Sequence, residues 1–257
     1  MDLELVNKRV LIAGASRGIG YGIADAFLSE GAQVALLARD ASRLTESAER
    51  LGRTYGEDRV VAFPIDCADA TSWANVIGGL GSAWGGLDIV VANVGDGRGP
   101  EDALPSADRF SKAWRTNFST AEETARATLP MLETNGGCLL FVSSIAGLEA
   151  IGAPTDYSVA KSALIALTKH MARRLAPRVR VNCLAPGNVN FPGGSWDEKM
   201  REEPKRVESL IQTTVPMQRF GTPAEIADAV MFLCSARAAF VTGACLVVDG
   251  GQTVSVF

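Results

Sequence analysis

Short apolar runs alternate with longer amphipathic stretches along most of the chain. The runs cover residues 9–13, 33–38, 60–65, 87–92, 138–143, 179–184 and 245–248. Each is rich in Val, Ile and Leu and is continuous rather than alternating, the pattern of a strand buried on both faces. Helical stretches fall near 18–30, 41–54, 70–84, 106–133, 155–175 and 223–235. Strand–helix alternation of this kind predicts an α/β fold in which a doubly wound, seven-stranded parallel sheet is flanked by helices. No repeat, low-complexity tract or linker divides the sequence, so residues 1–257 are read as one domain.

The alternation lapses after Pro186-Gly187 and resumes at Gly221-Thr222-Pro223. Within the lapse, residues 197–206 hold four acids and four bases and predict a solvated helix. A long excursion beyond the carboxyl end of a strand is where ligands bind in open α/β sheets, so residues 188–221 are read as a substrate lid.

Composition narrows the partners. The 257 residues are 47% hydrophobic and 21% charged with net charge −4. No basic tail or lysine-rich run is present, which argues against nucleic acid. The five cysteines are odd in number and include no Cys-x-x-Cys, which argues for reduced thiols and a cytoplasmic protein. His170 is the sole histidine, too few for a histidine metal site or a Ser-His-Asp triad, and no metal is expected. The first five residues are acidic and unlike a signal peptide, and no apolar run approaches the roughly 18 residues a membrane span needs.

Two constellations carry chemistry. The first follows the first strand, where Gly14-Ala15-Ser16-Arg17-Gly18-Ile19-Gly20 leads into a helix. A tight turn there lets backbone approach a pyrophosphate, and the helix N-terminus supplies N–H groups and a positive dipole end. The spacing G-x-x-x-G-x-G differs from the G-x-G-x-x-G of many dinucleotide folds, but the physical logic is the same. The second strand then ends at Ala38-Arg39, with no acid for a ribose 2′-hydroxyl. Arg39 and Arg17 instead suit a 2′-phosphate, which predicts NADP(H).

The second constellation is Tyr157 and Lys161, one helical turn apart, with Ser144 thirteen residues before the tyrosine. A free phenol has a pKa of about 10 and transfers protons poorly at neutral pH; a nearby cation favours the phenolate and makes a tuned acid/base.

With these motifs the chain resembles the short-chain dehydrogenase/reductases, in the Rossmann-type single-domain branch that includes 3-oxoacyl carrier-protein reductases. The likeness spans nearly all of the sequence, taking in the glycine loop, Asp66, Asn93-Val94-Gly95, Asn117, Ser143-Ser144, Tyr157 to Lys161, Pro186-Gly187 and Val248-Asp249-Gly250-Gly251. Three departures from the family pattern are Ala13, where a threonine is usual before the first glycine, the bulkier Val94 in place of alanine, and Asn190, where a threonine commonly contacts the carboxamide.

The resemblance implies roles. Tyr157 is the general acid for carbonyl reduction and Lys161 lowers its pKa while binding the nicotinamide ribose. Ser144 holds the substrate oxygen, and Asn117 holds a water linking Lys161 to solvent. Gly14, Ser16, Arg17, Gly18, Ile19, Gly20 and Arg39 bind the phosphates and ribose; Asp66 and the Cys67 backbone meet the adenine. Asn93 and Gly95 line the cleft, while Pro186, Gly187 and Val189 contact the nicotinamide.

The implied activity is hydride transfer between NADP(H) and a ketone or secondary alcohol, in a homotetramer or homodimer. Substrates in view are 3-oxoacyl thioesters, polyketide-like ketones, keto sugars and steroid-like ketones; the lid, which mixes Phe191, Trp196 and Met217 with charges, selects none of them. The alternatives are an NAD-dependent sugar- or steroid-type dehydrogenase of the same family, or a catalytically silent NADP-binding regulator.

Overall fold

A computed structural model describes residues 2–100 and 102–256. Seven strands form one sheet: β1 (Arg9–Ala13), β2 (Gln33–Ala38), β3 (Val60–Pro64), β4 (Ile89–Ala92), β5 (Cys138–Val142), β6 (Arg180–Pro186) and β7 (Cys245–Val248). Their spatial order is β3-β2-β1-β4-β5-β6-β7 and every neighbouring pair is parallel. Successive side chains of a strand point to opposite faces. Val10 and Ile12 therefore pack on one side and Leu11 and Ala13 on the other, and both sets are fully buried.

Helices cover both faces. On one lie α1 (Gly18–Ser29), α2 (Ala41–Tyr55) and α9 (Pro223–Cys234), which contribute Phe27, Leu44, Leu51, Ile226 and Val230. On the other lie α3 (Trp73–Trp84), α5 (Thr120–Asn135) and α6 (Thr155–Leu175), which contribute Val76, Leu80, Leu132 and Leu164. Local signals set the helix starts. Asp40 caps α2 by accepting the Arg43 N–H, and α9 begins with a capping box between Thr222 and Glu225 and with Pro223 in its first turn.

The stretch expected as one helix over 106–133 is divided. α4 (Ala107–Trp114) passes through a π-helical turn at Arg115–Ser119 into α5. Asn117 sits in that turn, and its Nδ2 donates to the Ala113 carbonyl, four residues back, at 3.0 Å. A side-chain donor inserted into the helical ladder is a known cause of such a bulge. The helix expected over 197–206 is also two, α7 (Ser195–Glu202) and α8 (Pro204–Thr214), because Pro204 can begin a helix but not continue one.

The excursion holding α7 and α8 is closed at its base. Asn190 N–H donates to the Gly221 carbonyl, and Gly221 N–H to that of Asn188, both at 2.9 Å. Trp196 packs against Phe220 with the rings tilted by 53° and their centroids 4.7 Å apart, and Val207 and Val215 complete a small apolar cluster separate from the two sheet cores. No helix among the described residues is long and apolar enough to cross a membrane.

Candidate active site

All seven strands end at one edge of the sheet, and the groove there has a volume of about 380 Å³. Gly14, Ser16, Arg17 and Ile19 line it from the glycine loop, Arg39 from the end of β2, Asp66 and Cys67 from the end of β3, and Asn93 and Gly95 from the end of β4. The loop is held tightly. Gly14 and Gly18 have φ of +78° and +58°, where a side chain would be strained. A Cβ on Gly20 would lie 2.1 Å from the Gly14 carbonyl oxygen, and Asn93 Nδ2 donates to that same oxygen at 3.1 Å. Ser47 Oγ donates to the Ser16 carbonyl at 2.9 Å.

α1 begins without a side-chain cap. Its first N–H groups and the positive end of its dipole are therefore available to an anion. This open terminus, packed against a groove whose glycines permit close backbone approach, fits the pyrophosphate of a dinucleotide.

The charged groups around the groove divide by engagement. Arg17 Nη1 donates to the Gly193 carbonyl of the excursion at 2.7 Å. Arg43 follows the Asp40 cap and pairs with that carboxylate at 3.8 Å. Arg115 Nη2 donates to Asp66 Oδ2 at 2.7 Å, while Asp66 Oδ1 accepts the Ala68 N–H at 3.0 Å. Burial raises the Asp66 pKa, but the Ala68 N–H and the Arg115 guanidinium outweigh it and hold the carboxyl below its ordinary value. Arg39 is exposed and has no side-chain hydrogen bond among the described residues. Burial drives the Cys67 thiol to about 12, so it acts as an apolar wall.

Gly95 joins the groove to the second constellation. A Cβ there would meet Lys161 Nζ at 2.9 Å and Asn117 Oδ1 at 3.1 Å. Asn117 is buried and braces the next residue twice: its Oδ1 accepts the Asp96 N–H at 2.8 Å and its Nδ2 donates to the Asp96 carbonyl at 3.1 Å. Lys161 is 2% exposed and donates to the Val142 carbonyl at 2.9 Å. Burial lowers its pKa to about 8. The two serines separate clearly. Ser143 Oγ is spent on the Lys161 carbonyl at 2.8 Å, whereas Ser144 is half-buried, its Oγ accepts the Ala146 N–H at 3.1 Å, and its hydroxyl is near enough to the Tyr157 phenol to oppose a rise in the phenol's pKa.

Tyr157 departs from the expectation that its pKa is lowered. Burial raises it first, the Ser144 hydrogen bond opposes this, and the Asp96 carboxylate adds to the rise. The Lys161 ammonium, directed at Val142, lies 5.8 Å from the centre of the tyrosine ring. Desolvation therefore outweighs the cation in this arrangement.

Pro186, Gly187 and Val189 follow at the end of β6, with Gly187 N–H bonded to the Val248 carbonyl at 2.9 Å and Val189 buried. The structure also places side chains here that sequence reasoning did not assign. Phe191 covers the glycine loop, since a Cβ on Gly18 would lie 2.6 Å from its ring. Asp96 is legible only as the residue after the Asn93-Val94-Gly95 motif, and Arg115 only as a cation two positions before Asn117. Among the described residues, no group of three or more His, Cys, Asp or Glu side chains is placed to hold a metal ion.

The family model described as enoyl-(acyl carrier protein) reductase matches residues 14–253. The 2-(S)-hydroxypropyl-CoM dehydrogenase 3 of Xanthobacter autotrophicus is 37% identical over 98% of this chain and 99% of its own length. The solved L-sorbose reductase of Gluconobacter frateurii, complexed with NADPH and L-sorbose, superposes with a TM-score of 0.92 at 30% identity, covering 100% of both chains. A 3-oxoacyl-[acyl-carrier protein] reductase of Brucella melitensis, solved with bound NAD, superposes with a TM-score of 0.86 at 30% identity, covering 99% of this chain and 95% of that one. Sheet order, glycine loop and whole-length similarity agree: this chain belongs to the short-chain dehydrogenase/reductase family of nicotinamide-dependent oxidoreductases.

Proposed function

We propose that the chain is an NADP(H)-dependent carbonyl reductase, acting on a ketone or secondary alcohol, with residues 188–221 as its lid. The observation that carries this reading is the grouping of Ser144 beside the Tyr157 phenol, with Lys161 Nζ 5.8 Å from the tyrosine ring and against Gly95, at the edge of a groove whose second strand ends in an arginine and no acid. When bound, the nicotinamide supplies or accepts the hydride.

The chain's own residues do the rest. Ser144 and Tyr157 aim hydroxyl donors at one substrate oxygen, where negative charge develops. A phenol raised by burial stays protonated through neutral pH, and Tyr157 gives its proton to that oxygen during reduction. Lys161, with a pKa near 8, exchanges protons in the physiological range and replenishes the phenol. Asn117 is assigned to the path between Lys161 and solvent. Asp66 and the Cys67 backbone are assigned to adenine, and Pro186, Gly187 and Val189 to the nicotinamide.

Arg39 bears the choice between dinucleotides, because Arg17 is engaged by Gly193. The competing reading is an NAD-dependent dehydrogenase, which the NAD-bound Brucella relative favours. The protein is proposed to work as a cytoplasmic homotetramer or homodimer, which light scattering tests for assembly. Activity is tested by turnover of a ketone panel with NADPH and NADH. Tyr157→Phe is expected to lower kcat at least about a hundredfold while dinucleotide Kd stays within twofold. A smaller loss defeats the assignment of Tyr157, and a higher kcat/KM with NADH than with NADPH defeats that of Arg39.

A further inference from the structure

Asp156 directly precedes Tyr157 and is fully buried. A carboxylate without solvent must be paired, and both of its oxygens are. Oδ1 accepts the Tyr157 backbone N–H at 2.8 Å, and Oδ2 accepts Arg109 Nε at 2.8 Å. The acid also lies in the first turn of α6, at the positive end of its dipole.

Arg109 reaches Asp156 from α4, whose start is fixed by the Ser106 cap. Its Nη2 donates to the backbone carbonyl of Arg98. Gly99 makes room for that approach, because a Cβ there would lie 2.6 Å from Arg109 Nη2 and 3.1 Å from Pro154. The Arg98 side chain continues outward. Its Nη2 donates to both carboxylate oxygens of Glu198, at 3.0 and 2.9 Å, and Glu198 stands on α7 of the lid.

We infer that Arg109 and Asp156 are positioning residues that hold the Tyr157 turn in place and tie it, through Arg98, to the docking of the lid. The inference rests on the reading of Tyr157 as the proton donor. Removing Arg109 leaves a buried carboxylate uncompensated. The first turn of α6 must then shift to hydrate it, and the next side chain on that turn is the phenol. A displacement of about 1 Å at a reacting group can cost about a hundredfold in rate. The outer link is softer. Arg98 and Glu198 are 41% and 43% exposed, so their pair is screened and biases the lid without locking it.

The test uses the full chain with Arg109→Ala, Arg109→Lys, Glu198→Ala and the double variant Arg109→Ala/Glu198→Ala. Amide hydrogen exchange from Tyr157 to Ala160 needs no substrate. Arg109→Ala is expected to speed it at least about tenfold, Arg109→Lys to restore most of the protection, and Glu198→Ala to speed it about two- to fivefold in the parent but not beside Arg109→Ala. Hydride transfer at saturating dinucleotide and carbonyl is expected to fall about ten- to a hundredfold in Arg109→Ala, with dinucleotide Kd within twofold, since the groove is untouched. Unchanged exchange in Arg109→Ala, or an equal effect of Glu198→Ala in both backgrounds, overturns the inference. Should Arg109→Ala not fold, Arg109→Lys and Glu198→Ala decide it by the same exchange readout. A parent that reduces no carbonyl defeats the reductase reading instead, while the exchange result still decides the tie.

Discussion

Lys161 combines burial with charge, and that combination has a cost. Its folded pKa of about 8 lies below the ordinary 10.5. Between those values the unfolded chain holds more protons, so stability rises with pH across the window. Below about pH 8 the depressed pKa corresponds to about 3 kcal/mol of lost stability, partly offset by the bond to Val142. Lys161→Met is therefore expected to stabilise the fold by about 1–3 kcal/mol at pH 7, and the gain should shrink by pH 10. Urea unfolding at the two pH values measures this, and a gain independent of pH contradicts the assignment. That Ser144, Tyr157 and Lys161 lie near one another was anticipated by their spacing read together with the family resemblance. The sign of the tyrosine's shift was not, because it depends on how deeply the phenol is packed and on Asp96, whose neighbourhood to Tyr157 spans the fold.

At the scale of elements, strand runs and helix caps were readable because each is a local pattern. Strand ends agreed to within a few residues, as at 87–92 against Ile89–Ala92. The π turn was hidden, since no periodicity marks an amide that donates backward to Ala113 while its other end holds Asp96. The split between α7 and α8 was announced by Pro204 but masked by the even run of charges around it. Two glycines of α1 allow a graded prediction. An added Cβ at Gly20 meets the fixed Gly14 backbone oxygen at 2.1 Å, whereas at Gly22 it meets Pro223 Cβ at 2.8 Å. Gly20→Ala is expected to cost about 1–3 kcal/mol and abolish dinucleotide binding, and Gly22→Ala to cost stability with binding retained. Denaturation midpoints and titration of the intrinsic fluorescence separate the two; equal binding by both variants contradicts the role given to the glycine loop.

At the scale of the molecule, the groove collects residues from the ends of β1 to β4, so a bound dinucleotide links separate strands and should stabilise them together. A ligand at a hundred times its Kd adds about 2.7 kcal/mol, which for a chain of this size is roughly 5–10 °C in Tm. NADPH is expected to raise Tm by more than NADH at equal concentration, and Arg39→Ala to bring the two shifts together. Equal shifts in the parent, read by scanning calorimetry, contradict the cofactor choice. The parallel order of the sheet was foreseeable from alternation. The grip of Gly193 on Arg17 was not, because it joins the first loop to the excursion after β6 across most of the chain.

The strand order has a consequence for synthesis. β1 pairs with β2 on one side, but its other neighbour is β4, with Val10 beside Ile89, so the middle of the sheet cannot close until that later segment has been made. Non-local parallel pairings of this kind are slow to form, and nascent chains fold from the N-terminus as they emerge. The groove's walls other than Phe191, up to Thr120, are translated before Tyr157, the excursion holding α7 and α8, and β7. Nascent chains stalled past β4 should accordingly begin to resist protease over residues 9–92 while the segment carrying Tyr157 is still unmade; protection that arrives only with β7 would mean the two halves fold as one.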